Sequence, residues 1–269
     1  MEKHISREGC NIAYEYVPGS RPVTVILVHG YGLHRAMWRP QVEFLRSEGY
    51  PVINIDVRGH GNSRPTGKFS VKLAAEDIHA VIEAERPEHY LLCGLSMGAF
   101  AVQEYAFLFG DAAGYMLTGV TPLCIPYPAW EKTLLAYSGP IMKHFYSWPR
   151  LKKAMSKGCA FTKPASLCVG RMFEEIEQEE FLVSWAGFTT CLHEETLTFD
   201  APLLVTAGEQ DTRGTIKKHL ADWHTHYPGC IVKTISNAGH VANLDQPEQF
   251  NELLLSFITA CESARSRLS

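Results

Sequence analysis

Ser96 has one glycine two residues before it and another two residues after it, in a stretch that predicts a strand, a sharp turn and a helix. A serine in such a turn stands at the tip of a sheet with its hydroxyl exposed, as an activated nucleophile does. Gly94 and Gly98 are needed there because a Cβ atom at either position would collide with the neighbouring strand or helix. The N–H of Met97 opens the predicted helix and can donate to an oxyanion. For so short a motif, a chance glycine–serine turn is the alternative interpretation.

A serine nucleophile needs a general base, and the base needs an acid that orients it. Loops that leave the carboxyl ends of parallel strands converge on one crevice. Asp211 follows a predicted strand at 202–207, and His240 follows a predicted strand at 231–235. The chain order Ser96, Asp211, His240 is the order of a catalytic triad on an α/β sheet. Glu209 is a rival acid in the same loop, but one loop needs only one orienting carboxylate, and Asp211 is preferred.

A second oxyanion donor is predicted at residues 29–32, which read His-Gly-Tyr-Gly and follow another central strand. The N–H of Tyr31 can face the same point as that of Met97, and the glycines let the backbone approach a substrate. His29 and His60 are interpreted as hydrogen-bonding residues that stabilise turns, not as catalysts.

Strands alternate with helices along the chain, which predicts α/β architecture with a doubly wound, mostly parallel sheet. An N-terminal hairpin is expected at 3–17, and the final helix carries apolar residues at 250, 253, 254 and 257. The other predicted strands are at 23–28, 52–56, before Ser96, and at 114–120, 202–207 and 231–235, with helices at 39–48, 71–85 and from Ser96 to near 110.

The strand pattern disappears between about 121 and 197, where aromatic residues accumulate. A structureless loop of that length is improbable in a compact domain, so the segment is interpreted as a helical cap, with helices around 128–145, 149–157 and 171–188. The core would then comprise 1–120 and 198–269, and the cap 121–197. The cap and the strand-end loops are expected to form an apolar pocket, with substrate contacts from Tyr31, Trp130, Tyr137, Trp185 and Val241.

The composition of the 269 residues argues against several classes of partner. A net charge of −4 gives no electrostatic reason to expect nucleic acid, and the basic pairs 152–153 and 217–218 are interpreted as solvated faces. No apolar run is long enough to span a bilayer, and the N-terminal residues do not resemble a signal peptide. Eight scattered cysteines without a C-x-x-C pair suggest reduced thiols, and a cytoplasmic monomer or homodimer without a membrane partner is expected. His219, His224 and His226 lack metal-binding spacing, so no metal site is expected.

The motifs at 29–32, 56–63, 94–98, 208–211 and 239–240 together resemble those of the α/β-hydrolase fold family over nearly the whole chain. The resemblance implies an eight-stranded sheet whose second strand is antiparallel, with a helical cap inserted after the sixth strand. A serine at position 96 disfavours the dehalogenases and epoxide hydrolases of the family, which place aspartate there. Carbon–carbon bond hydrolases commonly carry tryptophan where this chain has Val241. The stretch 239–250 is similar to that of enol-lactonases and small carboxylesterases.

These features predict a serine hydrolase that cleaves a carboxylic ester or lactone of a small to medium apolar substrate through an acyl-enzyme, with no cofactor. Two alternatives stay open. The same triad could cleave a carbon–carbon bond or act as a lyase, which would release an acid with a ketone or enol instead of an alcohol. The fold could also serve as a small-molecule receptor with little turnover, because fold does not determine function.

Overall fold

The computed structural model describes residues 1–124, 129–189, 191 and 197–265. Eight strands form one sheet: β1 (Glu2–Arg7), β2 (Cys10–Val17), β3 (Val23–Val28), β4 (Val52–Ile55), β5 (His89–Leu95), β6 (Gly114–Thr118), β7 (Leu203–Gly208) and β8 (Ile231–Ile235). The helices that surround it are α1 (Arg39–Ser47), α2 (Val71–Glu85), α3 (Met97–Leu108), α4 (Ala129–Phe145), α5 (Trp148–Ser156), α6 (Lys163–Glu174), α7 (Gln178–Phe188), α8 (Asp222–His226), α9 (Ala242–Asp245) and α10 (Pro247–Arg265).

The strands lie in the order β1-β2-β4-β3-β5-β6-β7-β8. β2 is antiparallel to both of its neighbours, and every pair from β4 to β8 is parallel. The expected eight-stranded, mostly parallel sheet with an antiparallel second strand is therefore confirmed. Its consequence for function is that the carboxyl ends of β3, β5, β6, β7 and β8 all lie along one edge.

The central strands are buried along their whole length and mostly apolar, because helices cover the sheet on both faces. All six residues of β3 (VTVILV) are buried, as are all six of β7 (LLVTAG). α1 packs with α10, and α2 packs with α3, as two separate helix pairs against the sheet. A rigid sheet buried in this way fixes the positions of the loops at its carboxyl edge.

Helices α4 to α7 all lie between β6 and β7, where the sequence predicts a helical insertion. The predicted helix at 171–188 is wrong, because the chain forms two helices there. Glu177 has an extended backbone and precedes α7, whose first turn carries Glu179 and Glu180. Carboxylates stabilise the N-terminus of a helix, so these glutamates favour a new start over a continuous helix. Residue 128, where the first of the predicted helices begins, lies outside the described residues, and the division into core and cap stays a prediction.

Among the helices of the described part of the chain, none has the length and apolarity needed to cross a membrane. All eight cysteines are free thiols.

Candidate active site

Ser96 lies in a strained turn between β5 and α3. Its φ of 53° and ψ of −118° are rare for a residue with a side chain, and such strain is concentrated at functional sites. The turn is held from both sides, because the Ser96 N–H donates to the carbonyl of Thr118 at 2.9 Å and the Ser96 carbonyl accepts from Phe100 at 3.0 Å. The side chain of Ser96 is therefore presented at the carboxyl edge of the sheet, between β5 and β6.

The two glycines around Ser96 sit where no side chain fits. A Cβ atom on Gly94 would lie 2.6 Å from the carbonyl oxygen of Gly98 in the following helix. A Cβ atom on Gly98 would lie 2.3 Å from the carbonyl oxygen of Val28, at the end of β3. The steric reason that the sequence gives for both glycines is confirmed.

The acid and the base expected from the sequence are in direct contact. His240 Nδ1 lies 2.9 Å from Asp211 Oδ2, and both residues are buried. The other carboxylate oxygen of Asp211 accepts from the N–H of Arg213 at 2.8 Å, which fixes the orientation of the carboxylate. The rival acid, Glu209, accepts from the exposed N–H of Asn237 instead. Of the two carboxylates in this loop, Asp211 is the one that can orient the imidazole.

Ser96 and His240 both lie against the end of β6. Ser96 is hydrogen-bonded to Thr118, and the next residue, Gly119, lies against the His240 ring: a Cβ atom there would be 3.0 Å from Nδ1 and 3.1 Å from Cε1. No hydrogen bond joins the Ser96 hydroxyl to His240 in the part of the chain that the structure describes. Catalytic hydrogen bonds are often long in the absence of substrate, and they tighten when substrate binds.

Gly119→Ala is expected to lower kcat by about one to two orders of magnitude, because the added methyl group displaces the base, and a shift near 1 Å can cost about a hundredfold. Gly119 also has φ of +60°, which adds backbone strain in any variant with a side chain. Gly9→Ala is the matched control: it has φ of +74°, but nothing lies within 4 Å of a Cβ atom there. Steady-state ester hydrolysis of both variants reports displacement of the His240 ring, and thermal denaturation of both variants reports backbone strain. Equal kcat values would show that His240 tolerates the methyl group.

The backbone amides of Met97 and Tyr31 are the two oxyanion donors predicted from the sequence. Met97 is the first residue of α3, and the N–H groups in the first turn of a helix have no intrahelical partner. The Tyr31 amide forms no hydrogen bond within the described residues. Gly30 brings its loop close to Ser96, since a Cβ atom on Gly30 would lie 3.4 Å from that of Ser96. Convergence of the two amides on one point beside Ser96 stays a prediction.

The loop that carries the Tyr31 amide is held by α7. The Tyr31 hydroxyl donates to the carbonyl of Phe181 at 2.5 Å and accepts from the Ser184 hydroxyl at 3.3 Å. The Tyr31 ring packs edge-on against Trp185, with the ring centroids 5.0 Å apart. Burial raises the pKa of Tyr31 well above its usual value, so the phenol stays protonated and donates. Part of the inserted helical segment therefore positions the loop of a proposed oxyanion donor.

His29 and His60 act as structural hydrogen-bonding residues, as the sequence suggests. His29 Nδ1 lies 2.8 Å from the carbonyl of Gly30, and its Nε2 accepts from the N–H of Val57 at 2.9 Å. Burial lowers the pKa of each histidine to about 3, so both rings stay neutral near neutral pH. The two bonds of His29 tie the loop of Tyr31 to the loop that follows β4.

The end of α5 and the segment between α5 and α6 are hydrogen-bonded to two loops at the carboxyl edge of the sheet. We call the loop that carries Asp211 the acid loop and the loop that carries His240 the base loop. Arg213, two residues after Asp211, donates to the carbonyl of Met155 at 2.6 Å and to that of Lys157. The N–H of Val241, next to His240, donates to the carbonyl of Cys159 at 2.9 Å. The acid loop and the base loop thus share one support.

Asp245 completes this support. Its carboxylate accepts from the N–H groups of Gly239 at 2.8 Å, Phe161 at 2.9 Å and Thr162 at 2.7 Å. Gly239 immediately precedes His240, while Phe161 and Thr162 lead into α6. One buried carboxylate therefore joins the base loop to the start of α6.

Asp245→Asn is expected to destabilise the fold by about 2–4 kcal/mol, because an amide group leaves at least one of the three buried N–H donors facing another donor. Glu248→Gln is the matched control, since it removes the same charge from an exposed residue three positions later. Denaturant titrations of the two variants give the difference in the free energy of unfolding. Equal stability would mean that the Asp245 hydrogen bonds contribute nothing net.

The residues expected to contact substrate fall into two groups. Trp185 is half-buried beside Tyr31, donates from Nε1 to the Ser138 hydroxyl at 2.7 Å, and lies close to the site. Val241 is fully buried beside His240. Trp130 and Tyr137 differ, since their side chains on α4 are 68% and 64% exposed. Side chains this exposed do not form the pocket wall that is expected from the sequence. The substrate contacts of all these residues stay predictions.

Three residues that support the site received no role from the sequence: Gly119, Arg213 and Asp245. Each lies in or just after a loop at the carboxyl end of a strand, and that position is the available signal. Each has at least one partner that is distant in sequence, so neither spacing nor residue type reveals those contacts. Within the described residues, no cluster of three or more histidine, cysteine, aspartate or glutamate side chains could hold a metal ion.

Comparisons with known proteins agree with this fold. The model of a family described as the alpha/beta hydrolase family matches residues 25–253. A putative non-heme chloroperoxidase of Synechocystis is 23% identical, over 92% of this chain and 95% of that protein. The 3-oxoadipate enol-lactonase 1 of Acinetobacter baylyi is 20% identical, over 96% of both chains. A thermophilic esterase from Thermogutta terrifontis has a similar structure, with a TM-score of 0.81 at 21% identity, covering 97% of this chain and 99% of that one.

Proposed function

Since this chain belongs to the alpha/beta hydrolase family and is a hydrolase, we propose that it cleaves a carboxylic ester or lactone through an acyl-enzyme formed on Ser96. The observation that carries the proposal is the buried pair of Asp211 and His240, joined at 2.9 Å and placed beside the strained turn of Ser96. A structural role alone gives no reason for a strained serine, a histidine and a buried carboxylate to share one edge of the sheet.

In the first half of the reaction, His240 takes the proton of Ser96 as its oxygen attacks the carbonyl carbon. Asp211 holds the imidazole in the tautomer that has its free nitrogen towards the serine, and it stabilises the imidazolium that forms. The amides of Tyr31 and Met97 bind the oxyanion, an effect worth about 3 kcal/mol per donor in a dry site. His240 then gives the proton to the leaving alcohol.

In the second half, a water molecule replaces the alcohol. His240 removes its proton, the hydroxide attacks the acyl carbon, and the collapse of the second tetrahedral intermediate returns the proton to Ser96. The products are a carboxylic acid and the free enzyme. The side chains of this chain supply every proton transfer in the scheme.

The proposed substrate is small to medium in size and apolar. Aromatic side chains contributed by α7 surround Tyr31, whose amide is a proposed oxyanion donor: Phe181, Trp185 and Phe188 all have ring centroids within 6 Å of the Tyr31 ring. An apolar wall of this kind suits an aliphatic or aromatic acyl group and excludes bulk water. The relatives are named for different reactions, among them those of a chloroperoxidase and an enol-lactonase. The kind of bond that this chain cleaves is therefore proposed from its own residues.

The test combines a substrate series with a covalent label. Wild-type protein is given p-nitrophenyl esters of increasing acyl length, an aliphatic lactone and a vinylogous 1,5-diketone, and is separately treated with an alkyl phosphonate. We expect turnover of esters or lactones and a phosphonate adduct on the peptide that contains Ser96. An adduct together with cleavage of the diketone alone, to an acid and a ketone, would assign carbon–carbon bond hydrolysis. An adduct without turnover of any of them would favour a receptor.

A further inference from the structure

The inserted helical segment carries a charge that is opposite to that of the whole chain. The chain has a net charge of −4, yet residues 132–173 hold eight lysine and arginine residues and no aspartate or glutamate. Such a block is a local source of positive potential, and it can attract an anionic partner whatever the sign of the net charge.

The same segment exposes apolar side chains. On α4, the side chains of Trp130, Tyr137, Ile141 and Phe145 are between 44% and 74% exposed. They are spaced seven, four and four residues apart, so they fall on one face of the helix. We call these four residues the α4 stripe. Large apolar side chains grouped on one face are characteristic of an interaction surface, whereas single exposed ones are ordinary.

The α4 stripe is centred on a different side of the helix from the residues that pack against α7. That inner face includes Ser138, which accepts from Trp185, and Gly139, whose Cβ position is 3.3 Å from the Trp185 ring. Both residues are on the side that meets α7. The mean direction of the α4 stripe is about 115° from that of Ser138 and Gly139 around the helix axis, at about 100° per residue, and Phe145 is the member of the stripe nearest to the inner face. The contact with α7 leaves the four side chains accessible.

The basic residues of the next helix are also accessible. Arg150, Lys153 and Lys157 are exposed and recur every three or four residues, which places them on one face of α5 and its C-terminal end. None of them has a carboxylate partner among the described residues, whereas the nearby Lys152 is paired with Glu174. An unpaired cationic face thus follows the α4 stripe after a connection of only two residues.

We propose that the α4 stripe and the basic face of α5 attach this protein to an anionic lipid surface. An amphipathic helix with tryptophan and phenylalanine on one face enters the headgroup region of a bilayer, and lysine and arginine side chains add attraction to anionic lipids. The attachment is peripheral, made by side chains on exposed helix faces. It revises the expectation, drawn from sequence composition, that no membrane takes part.

A lipid surface fits these residues better than an acidic protein does. The α4 stripe is a row of large exposed side chains on one helix face, which a soft apolar phase accommodates without a complementary groove. Tryptophan and tyrosine are the residues enriched at membrane–water interfaces. The proposal does not depend on the catalytic activity, because it concerns residues of α4 and α5 that take no part in the proton transfers.

The test measures sedimentation of the whole protein with vesicles of phosphatidylcholine, alone or with about one third phosphatidylglycerol, at low and high ionic strength. Wild-type protein should bind the anionic vesicles, and less so at high ionic strength. Each charge near an anionic surface contributes about fivefold, so the double variant Arg150→Gln with Lys153→Gln should bind about thirtyfold more weakly. The double variant Ile141→Ser with Phe145→Ser should lose binding in the same assay.

Matched controls replace exposed residues elsewhere. Lys72→Gln with Lys218→Gln removes the same charge, and Ile231→Ser removes an exposed aliphatic side chain from β8; both should bind like wild type. The proposal is overturned if wild-type protein binds neither vesicle, or if the controls weaken binding as much as the α4 and α5 variants do. Polyglutamate, tested in a separate binding measurement, represents an acidic protein. If the protein binds polyglutamate but neither kind of vesicle, and the α4 and α5 variants lose that binding, the surface is a site for acidic proteins and the lipid assignment is wrong. Sedimentation measures vesicle binding and does not need catalytic turnover. The result can therefore be interpreted even if the proposed reaction is wrong.

Discussion

Replacing Ser96 by alanine is expected to lower kcat for ester hydrolysis by a factor of about 10⁴ or more, because loss of the nucleophile removes the covalent route and leaves only the oxyanion donors and binding. Alanine also lacks the oxygen that a phosphonate labels, so the adduct should disappear. The measurement is steady-state hydrolysis of the best p-nitrophenyl ester, with intact-protein mass spectrometry after phosphonate treatment.

Ser166→Ala is the control for this substitution, since Ser166 is an exposed serine on α6. It should keep both turnover and labelling. Circular dichroism should show that the Ser96 variant is folded. We expect its fold to be at least as stable as that of the wild type, because strained functional residues often lower stability. Undiminished turnover in folded Ser96→Ala protein would rule out Ser96 as the nucleophile.

Asp211→Asn is expected to lower kcat by a factor of about 10³–10⁴, with KM changed much less. Asparagine is nearly isosteric, so the loop should be preserved. Its amide group, however, can donate to Nδ1 of His240 and so favour the tautomer that has its proton on Nε2, where the base must accept the proton of Ser96. The measurement is kcat and KM for the same ester.

Glu209→Gln is the control for Asp211→Asn, because it makes the same chemical change in the same loop. The Glu209 carboxylate faces Asn237 at the surface, so its loss should change kcat less than tenfold. A larger loss of kcat in Glu209→Gln than in Asp211→Asn would assign the orienting role to Glu209.

The sequence predicts the centre of the sheet well because β3 to β7 are buried on both faces and therefore mostly apolar. The run VTVILV of β3 is short, rich in β-branched residues and without alternation, which is typical of a central strand. The glycines at 94 and 98 could also be interpreted from sequence, since only close backbone contact requires glycine on both sides of a serine. Once the strands are known, the carboxyl edge of the sheet brings residues 96, 211 and 240 together.

The supporting contacts could not be predicted, because they join segments that are far apart in the chain. Asp245 binds amides that lie 83 and 84 residues away, and no local pattern indicates that contact. The division between α6 and α7 was missed for a different reason: the apolar spacing continues across it, and the glutamates after 174 carry the signal. Thr162, which caps α6 by accepting from Ala165, is a start signal that the sequence does contain.

Asp245 has a further consequence for the exchange of backbone hydrogens with solvent. Its carboxylate accepts from the amides of Gly239, Phe161 and Thr162, so these amides become exposed only when that cluster of hydrogen bonds opens. We expect the three amides to exchange slowly and with the same free energy of opening, although they belong to segments about 80 residues apart. The base loop and the start of α6 would then behave as one cooperative unit.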